Sequence, residues 1–285
     1  MFLKKRFGMD FSLTFWGVRG TVPCPMASHM GFGGNTSCVE VRAGDHTLVL
    51  DAGTGIRLLG RRMLERGDAA ATLLLSHTHL DHISGFPFFA PAYTQGFALR
   101  VVSCHLNGGG GVEGVLARQM EGPLFPVPFR TLAGSLSFTD AVPGSTLDVV
   151  DGVRVRTAPL NHPDGATGYR IEYAGRAVVY LTDTEHVPGV PDQNVLDLMT
   201  GADLVLYDAT YTDEEFAQRV GWGHSTWTEG VRLCQAAGVR RLALFHHDPD
   251  HDDSAVAAIE AEAQAAWPGH VFAAREGATV DVTAL

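Results

Sequence analysis

The sequence is short of cysteine, of positive charge and of long apolar runs. Its four cysteines form no C-x-x-C pair, which argues against a zinc ribbon or a disulfide framework and favours a reducing cytoplasm. The 285 residues include 21 Lys and Arg against 32 Asp and Glu, and a formal charge of −11 would repel a polyanion. Because no stretch of about 18 apolar residues occurs, we expect no membrane span.

The chain has the composition of a packed globular protein, with 45% hydrophobic residues. No internal repeat or compositional break divides it, so we expect one domain over residues 1–285. Helical patterns are clearest at 56–66, 226–237 and 254–267. Alternation of these patterns with short apolar runs predicts an α/β protein with layered sheets and helices outside. The runs predict strands at 12–16, 46–50, 72–75, 99–103, 153–157, 169–173, 177–181, 204–207 and 242–245.

One segment, 106–130, differs from the rest. A glycine run at 107–111 is followed by Pro123, Pro126 and Pro128. Because glycine and proline disfavour helices and strands, we expect no regular core element here and interpret the segment as a lid or a dimer arm.

Four potential metal ligands follow the apolar run at 72–75. His77, His79, Asp81 and His82 fall within six residues. In an extended segment residues two apart point the same way, so the first two histidines can converge on one cation. If the chain then turns into a helix, Asp81 and His82 face a point displaced from the first one. One loop can therefore hold two metal ions. The alternative, a polar solvated loop, would leave these groups unpaired beside a buried strand.

Further candidate ligands stand where later strand-like runs end. His162, Asp183 and His246 each follow such a run. A carboxylate can bridge two cations, so Asp183 is the candidate bridge. His247 stays an alternative to His246, because only their directions off the strand separate them. The prediction places His77, His79 and His162 on one metal, Asp81, His82 and His246 on the other, and Asp183 on both.

The run His-Thr-His-Leu-Asp-His at 77–82 resembles the H-x-H-x-D-H signature of the metallo-β-lactamase fold. His162, Asp183 and His246 follow in the order of that family's remaining ligand motifs. Asp51 resembles the family's first motif, which implies that it supports the metal loop without binding the metal. The resemblance implies a four-layer αββα fold, in which two mixed sheets pack face to face with helices on both outer faces.

Three more motifs resemble the ribonuclease Z-type phosphodiesterases: Gly-Gly-Asn-Thr-Ser-Cys at 33–38, Tyr-Asp-Ala-Thr at 207–210 and Gly-His-Ser-Thr at 223–226. The resemblance implies that His224 is a proton donor with Asp208 as its acidic partner, although those enzymes carry His-Glu where this chain has Tyr-Asp. A bacterial subgroup that includes cyclic-nucleotide phosphodiesterases is most resembled by three runs: Phe-Trp-Gly-Val-Arg-Gly at 15–20, Gly-Phe-Pro-Phe-Phe at 85–89 and His-His-Asp-Pro at 246–249. A homodimer is also implied.

These resemblances imply a cytoplasmic phosphodiesterase with two divalent metal ions. Zinc is expected, and the His/Asp ligand set also suits manganese, iron or cobalt. A metal-bridging hydroxide would attack phosphorus beside the ligand Asp81, while His224 protonates the leaving oxygen.

We expect small phosphodiesters as substrates, above all 3′,5′-cyclic nucleotides, and no large nucleic acid. The segment 106–130 has only Arg118 and Arg130 as cations, too few for the basic arm that holds a transfer RNA. The alternatives are a ribonuclease Z-like tRNA 3′ endonuclease, a lactonase or thioesterase, and a scaffold protein with a vestigial site.

Overall fold

The computed structural model describes residues 11–106 and 110–285, and these form two seven-stranded mixed sheets packed face to face. The first sheet has the order β14-β1-β2-β3-β4-β5-β6, with antiparallel pairs around β1 and β2 and parallel pairs from β3 to β6. Its strands are β1 (Phe11–Gly17), β2 (Cys38–Ala43), β3 (His46–Leu50), β4 (Ala70–Leu75), β5 (Ala98–Ser103), β6 (Ser135–Asp140) and β14 (Thr279–Asp281).

The second sheet has the order β13-β12-β11-β10-β9-β8-β7 and is antiparallel from β7 to β10 and parallel from β10 to β13. Its strands are β7 (Thr146–Val150), β8 (Val153–Leu160), β9 (Ala166–Tyr173), β10 (Arg176–Leu181), β11 (Leu204–Asp208), β12 (Arg241–Phe245) and β13 (Val271–Ala273).

Seven α-helices occur in the described residues, and the longer ones cover the outer faces of the sheets. Their bounds are α1 (Ile56–Arg66), α2 (Leu80–Ile83), α3 (Gly111–Gln119), α4 (Gln193–Met199), α5 (Asp213–Phe216), α6 (Trp227–Ala236) and α7 (Asp253–Ala266). Helix α1 has the predicted bounds because Ile56, Leu59 and Met63 recur on one buried face, and it ends where Gly67 takes a left-handed conformation. Among the described helices, none has the length and apolar content needed to cross a membrane.

Three apolar layers hold the elements together. Side chains such as Phe15 and Tyr180 meet between the sheets, a second cluster lies under α4, α6 and α7, and a third lies under α1 and α3. Central strands such as β4 are mostly apolar because both of their faces are buried; in β4, Thr72 is polar and only Ala70 is exposed. This arrangement confirms the expected four-layer αββα fold.

The prediction of no core element in 106–130 is wrong. Helix α3 lies in this segment, and Val112 and Leu116 are fully buried against the first sheet. An apolar face spaced by four residues outweighs the nearby glycines and prolines. Residues 107–109 lie outside the described residues, and the lid or dimer-arm role stays a prediction, as does a single domain over 1–285. The strands β2, β6, β7, β13 and β14 were not among the predicted strands.

Candidate metal centre

The candidate site lies where the two sheets present the carboxyl ends of their parallel strands. Asp51 and His246 directly follow β3 and β12, and Asp183 lies two residues after the end of β10. All three are non-glycine residues with positive φ, at 61°, 56° and 62°. Such a conformation costs on the order of 1–3 kcal/mol each and persists only where the surroundings impose it. Three strained residues at one edge indicate a functional site.

The first group of ligand candidates consists of His77, His79 and His162. One ring nitrogen from each lies within 4.8 Å of the others. The Nε2 atom of His162 is 3.1 Å from Nδ1 of His79, and the ring of His77 lies 4.5 Å from that of His79 between centroids. The sequence prediction of these three around one point therefore agrees with their placement.

The second group consists of Asp81, His82, Asp183 and His246, again with one ligand atom each within 4.8 Å. The carboxylate of Asp183 lies between the two groups. Its Oδ1 is 3.8 Å from His77 Nε2, and its Oδ2 is 3.2 Å from His82 Nε2 and 3.3 Å from His246 Nε2. Each oxygen thus faces a different group, which is the placement that a bridging carboxylate requires.

The chemistry of these donors fits divalent cations. The Nε2 atoms of His77 and His82 are buried and have no hydrogen-bond partner among the described residues. Unpartnered buried nitrogens are costly unless something absent from a protein-only structure binds them. Burial, followed by neighbouring His82, holds the pKa of His77 well below its usual value, so this imidazole is in the neutral, metal-binding form. The absence of thiolates leaves the choice of metal open.

Asp51 lies behind the ligands. His82 Nδ1 donates to Asp51 Oδ2 at 2.8 Å, and Tyr180 donates its hydroxyl to the same oxygen at 2.8 Å. The backbone and hydroxyl of Ser76 add two more hydrogen bonds at 2.7 Å. Because its oxygens are occupied, Asp51 orients His82 and does not face the ligand groups.

The structure separates His246 from His247. His246 Nε2 is 3.3 Å from Asp81 Oδ2, whereas His247 Nε2 donates to the Ala274 carbonyl at 2.9 Å on the other side of the strand. A Cβ atom on Gly20 would lie 2.4 Å from the His246 ring, so this position requires glycine. Sequence reasoning assigned no role to Gly20, although it is the last residue of the Phe-Trp-Gly-Val-Arg-Gly run at 15–20.

His224 and Asp208 form a pair beside both groups. His224 Nδ1 donates to Asp208 Oδ2 at 3.0 Å, and its ring stacks on His246 at 4.9 Å. Burial alone would lower the pKa of His224, but Asp208 raises it to about 9. Asp208 also accepts from Thr210 and from the amides of Ser225 and Thr184. Asp208, His224 and His246 could together hold a metal, but these donors commit Asp208 to His224.

The contacts of several supporting residues could not be predicted from the sequence, although Thr210 lies in the Tyr-Asp-Ala-Thr motif. Thr210 Oγ1 lies 2.7 Å from Asp208 Oδ1 and 3.1 Å from His246 Nδ1, so it links the pair to the ligands. Tyr180 is 129 residues from Asp51 along the chain. His186 forms a hydrogen bond of 2.8 Å with the Ser225 hydroxyl and stacks on Phe216 at 4.3 Å. Contacts between distant residues leave no local pattern.

Comparison with known proteins gives a consistent result. The Beta-lactamase superfamily domain matches residues 46–247. A protein named Ribonuclease Z from Mycobacterium sp. (strain KMS) is 30% identical over 249 residues, which are 81% of this chain and 84% of that protein.

Two solved structures share the fold. The metallo-β-lactamase fold protein YhfI from Bacillus subtilis has a TM-score of 0.72 and 18% identity, covering 96% of this chain and 99% of its own. Human tRNase Z, short form, has a TM-score of 0.68 and 19% identity, covering 95% and 99%. The names of the relatives favour the ribonuclease Z alternative over the expected cyclic-nucleotide phosphodiesterase, and they argue against the expectation that excluded large nucleic acids.

Proposed function

Because the chain belongs to the metallo-β-lactamase superfamily and is a metal-dependent hydrolase of that fold, we propose that it is a phosphodiesterase that cleaves RNA. The reaction would be of the ribonuclease Z type, an endonucleolytic cut near an RNA 3′ end. The relatives named Ribonuclease Z support this substrate class. RNA therefore replaces 3′,5′-cyclic nucleotides as the first substrate to test.

The observation that carries the proposal is the hydrogen bond between His224, whose side chain is 12% exposed, and the fully buried Asp208. Hydrolysis of a phosphodiester expels an alkoxide, which needs a proton as the bond breaks. A histidine whose pKa is raised to about 9 holds that proton at neutral pH. A thiolate leaves without one, so the pair would have no use in a thioesterase. Asp208 keeps the imidazole charged and fixes its orientation through Nδ1, which leaves Nε2 as the donor atom.

The other site residues have assigned parts in this proposal. Two divalent ions, when bound, stabilise charge at the phosphate and activate water. His77, His79 and His162 would hold one ion, and Asp81, His82 and His246 the other, with Asp183 shared. Thr21 donates its amide to Asp81 Oδ2 at 2.8 Å and so fixes the direction of that carboxylate. Asp51 fixes His82 in the same way.

Small phosphodiesters, including 3′,5′-cyclic nucleotides, are the second candidate substrate class. The observation that favours them is the charge of −11, together with the two cations of the segment 106–130. A substrate with one phosphate needs less positive surface than a folded RNA does.

Further parts of the proposal concern the metal, the assembly and the location. Zinc is the first metal to test, ahead of manganese, iron and cobalt. We also propose a cytoplasmic homodimer in which the segment 106–130 contacts the second copy. A monomeric mass in sedimentation equilibrium would contradict the dimer.

The test combines metal analysis with a panel of substrates. It contains a precursor tRNA with a 3′ trailer, bis(p-nitrophenyl) phosphate, the four ribose 3′,5′-cyclic mononucleotides, a thioester and a lactone. We expect about two metals per chain and cleavage of the tRNA, lowered 100-fold or more in His224→Ala. Cleavage of cyclic nucleotides alone would favour the second candidate. Turnover of only the thioester or lactone, unchanged in His224→Ala, would overturn the phosphodiesterase.

A further inference from the structure

A half-buried arginine is separated from the proposed proton donor by one aromatic ring. The guanidinium carbon of Arg219 is 5.0 Å from the centroid of the Tyr211 ring, and that ring meets the His224 ring edge-on at 5.8 Å. Among the described residues, no carboxylate forms an ion pair with Arg219. By contrast, Arg66 and Arg176 each bind a carboxylate at 2.6 Å. In a chain of charge −11, a cation without a carboxylate partner beside the active centre offers a place for an anion.

The loop of residues 219–223 is tied to the metal centre. The amides of Gly221 and Gly223 donate to Glu185 Oε2 at 2.7 and 2.8 Å. The Gly223 carbonyl accepts from Nδ1 of the ligand candidate His162 at 2.8 Å. The loop is therefore held in place before a substrate arrives, which lowers the entropy cost of binding.

The same loop presents an aromatic side chain. Trp222 is 61% exposed and directly precedes Gly223. An exposed indole in a loop that contacts the ligand candidate His162 offers a face on which a nucleobase can stack. The Arg219 guanidinium adds donors in a planar fork that matches phosphate, and the Tyr211 ring below it supports its position.

We propose that Arg219 and Trp222 form a subsite for the nucleotide that carries the leaving oxygen, with Arg219 binding its phosphate and Trp222 stacking on its base. The inference rests on the proposed function, because the subsite is placed by its proximity to His224. A proton donor acts on the leaving side of the phosphorus, so residues around it contact the leaving group. A 3′,5′-cyclic mononucleotide has no second phosphate for Arg219, whereas an RNA chain has one.

The test uses short RNA substrates that differ by one phosphate. The dinucleotide UpU is compared with pUpU and UpUp, and the products show which nucleotide leaves. We expect a phosphate on the leaving nucleotide to raise kcat/KM about tenfold or more, as charged hydrogen bonds do. Arg219→Ala removes this gain. Arg62→Ala, which deletes a 57% exposed cation on α1, keeps it and controls for net charge.

The base contact is tested separately. Trp222→Ala is expected to lower kcat/KM for UpU about tenfold, and to lower it less for an analogue whose leaving nucleotide lacks the base. Equal losses on both substrates would overturn the stacking role.

Binding separates this inference from the proposed function. The affinities for UpU and its phosphorylated forms are measured in His224→Ala, where turnover is blocked, with and without Arg219→Ala. If phosphorylated dinucleotides bind more tightly only when Arg219 is present, and the parent protein hydrolyses none of them, the subsite is supported and the RNA-cleaving function is overturned. Hydrolysis with a phosphate preference that survives Arg219→Ala would overturn the subsite alone. No binding of any dinucleotide would overturn both.

Discussion

Asp51 and His82 form a hydrogen bond of 2.8 Å in which both side chains are fully buried. The bond occupies Nδ1 of His82 and leaves Nε2 directed at Asp81 and Asp183. Asp51, which lies behind the candidate ligands, therefore sets the direction of the His82 Nε2 atom.

Asp51→Asn is expected to weaken metal binding about 10- to 100-fold, because the amide cannot accept all the hydrogen bonds that the carboxylate takes. Tyr180→Phe, which removes one of these bonds, should have a smaller effect. Metal content after dialysis against a series of free zinc concentrations measures both. Asp45→Asn, an exposed turn residue, is the control. Parent-like metal affinity in Asp51→Asn would contradict the role.

Asp208→Asn is expected to lower the pKa of His224, which Asp208 now raises to about 9. The proton donor then loses its proton at lower pH, so the alkaline limb of kcat/KM against pH moves to lower pH and the rate at neutral pH falls. The measurement is a pH profile with the dinucleotide UpU, whose leaving alkoxide needs a proton. Asp197→Asn on α4 should keep the parent profile. An unshifted limb in Asp208→Asn would show that Asp208 does not charge the imidazole.

His246→Ala and His247→Ala are expected to have opposite consequences although the residues are neighbours. The first removes a ligand candidate, so the metal content should fall from about two ions per chain to about one. The second removes a buried hydrogen bond to Ala274 and should cost about 2 kcal/mol of stability while keeping both metals. Metal analysis measures the first effect, and urea unfolding measures the second. Loss of metal in His247→Ala alone would reverse the assignment.

Gly223→Ala is expected to weaken metal binding, because the added Cβ would lie 2.1 Å from His162 Nδ1 and push the ring away. Gly221→Ala is the matched control. Both glycines have positive φ, at 87° and 91°, so both substitutions cost about 1–2 kcal/mol of backbone strain. A Cβ at Gly221 meets nothing within 4 Å, so this variant should keep its metal. Equal metal loss in both would show that strain, and not the contact, displaces His162.

Features that depend on contacts between residues close in sequence could be predicted, whereas features that depend on contacts between distant residues could not. Helix α1 could be predicted to the residue because its pattern repeats within a few turns. Helix α3 was missed because its burial comes from the first sheet and not from its own glycine-rich sequence. The cap of α6 is Thr226 and not Ser225, since the Ser225 hydroxyl is committed to Tyr207 and His186.

The sequence by itself determined the donors of the site. The spacing of His77, His79, Asp81 and His82 is a local property, and an extended segment followed by a helical turn directs these side chains to two points. The strand-end positions of the later donors also follow from local apolar runs. Metal-binding chemistry that depends only on residue type and short spacing can therefore be predicted from the sequence.

Only the tertiary structure decided how these donors are aimed. The choice of His246 over His247 depends on a backbone with φ of 62°, which the packing of neighbouring loops imposes. The Asp51 contacts to His82 and Tyr180, and the contact of Asp183 with His82, join segments far apart in sequence. No local pattern specifies such contacts, because they exist only when two sheets pack and bring their strand ends to one edge.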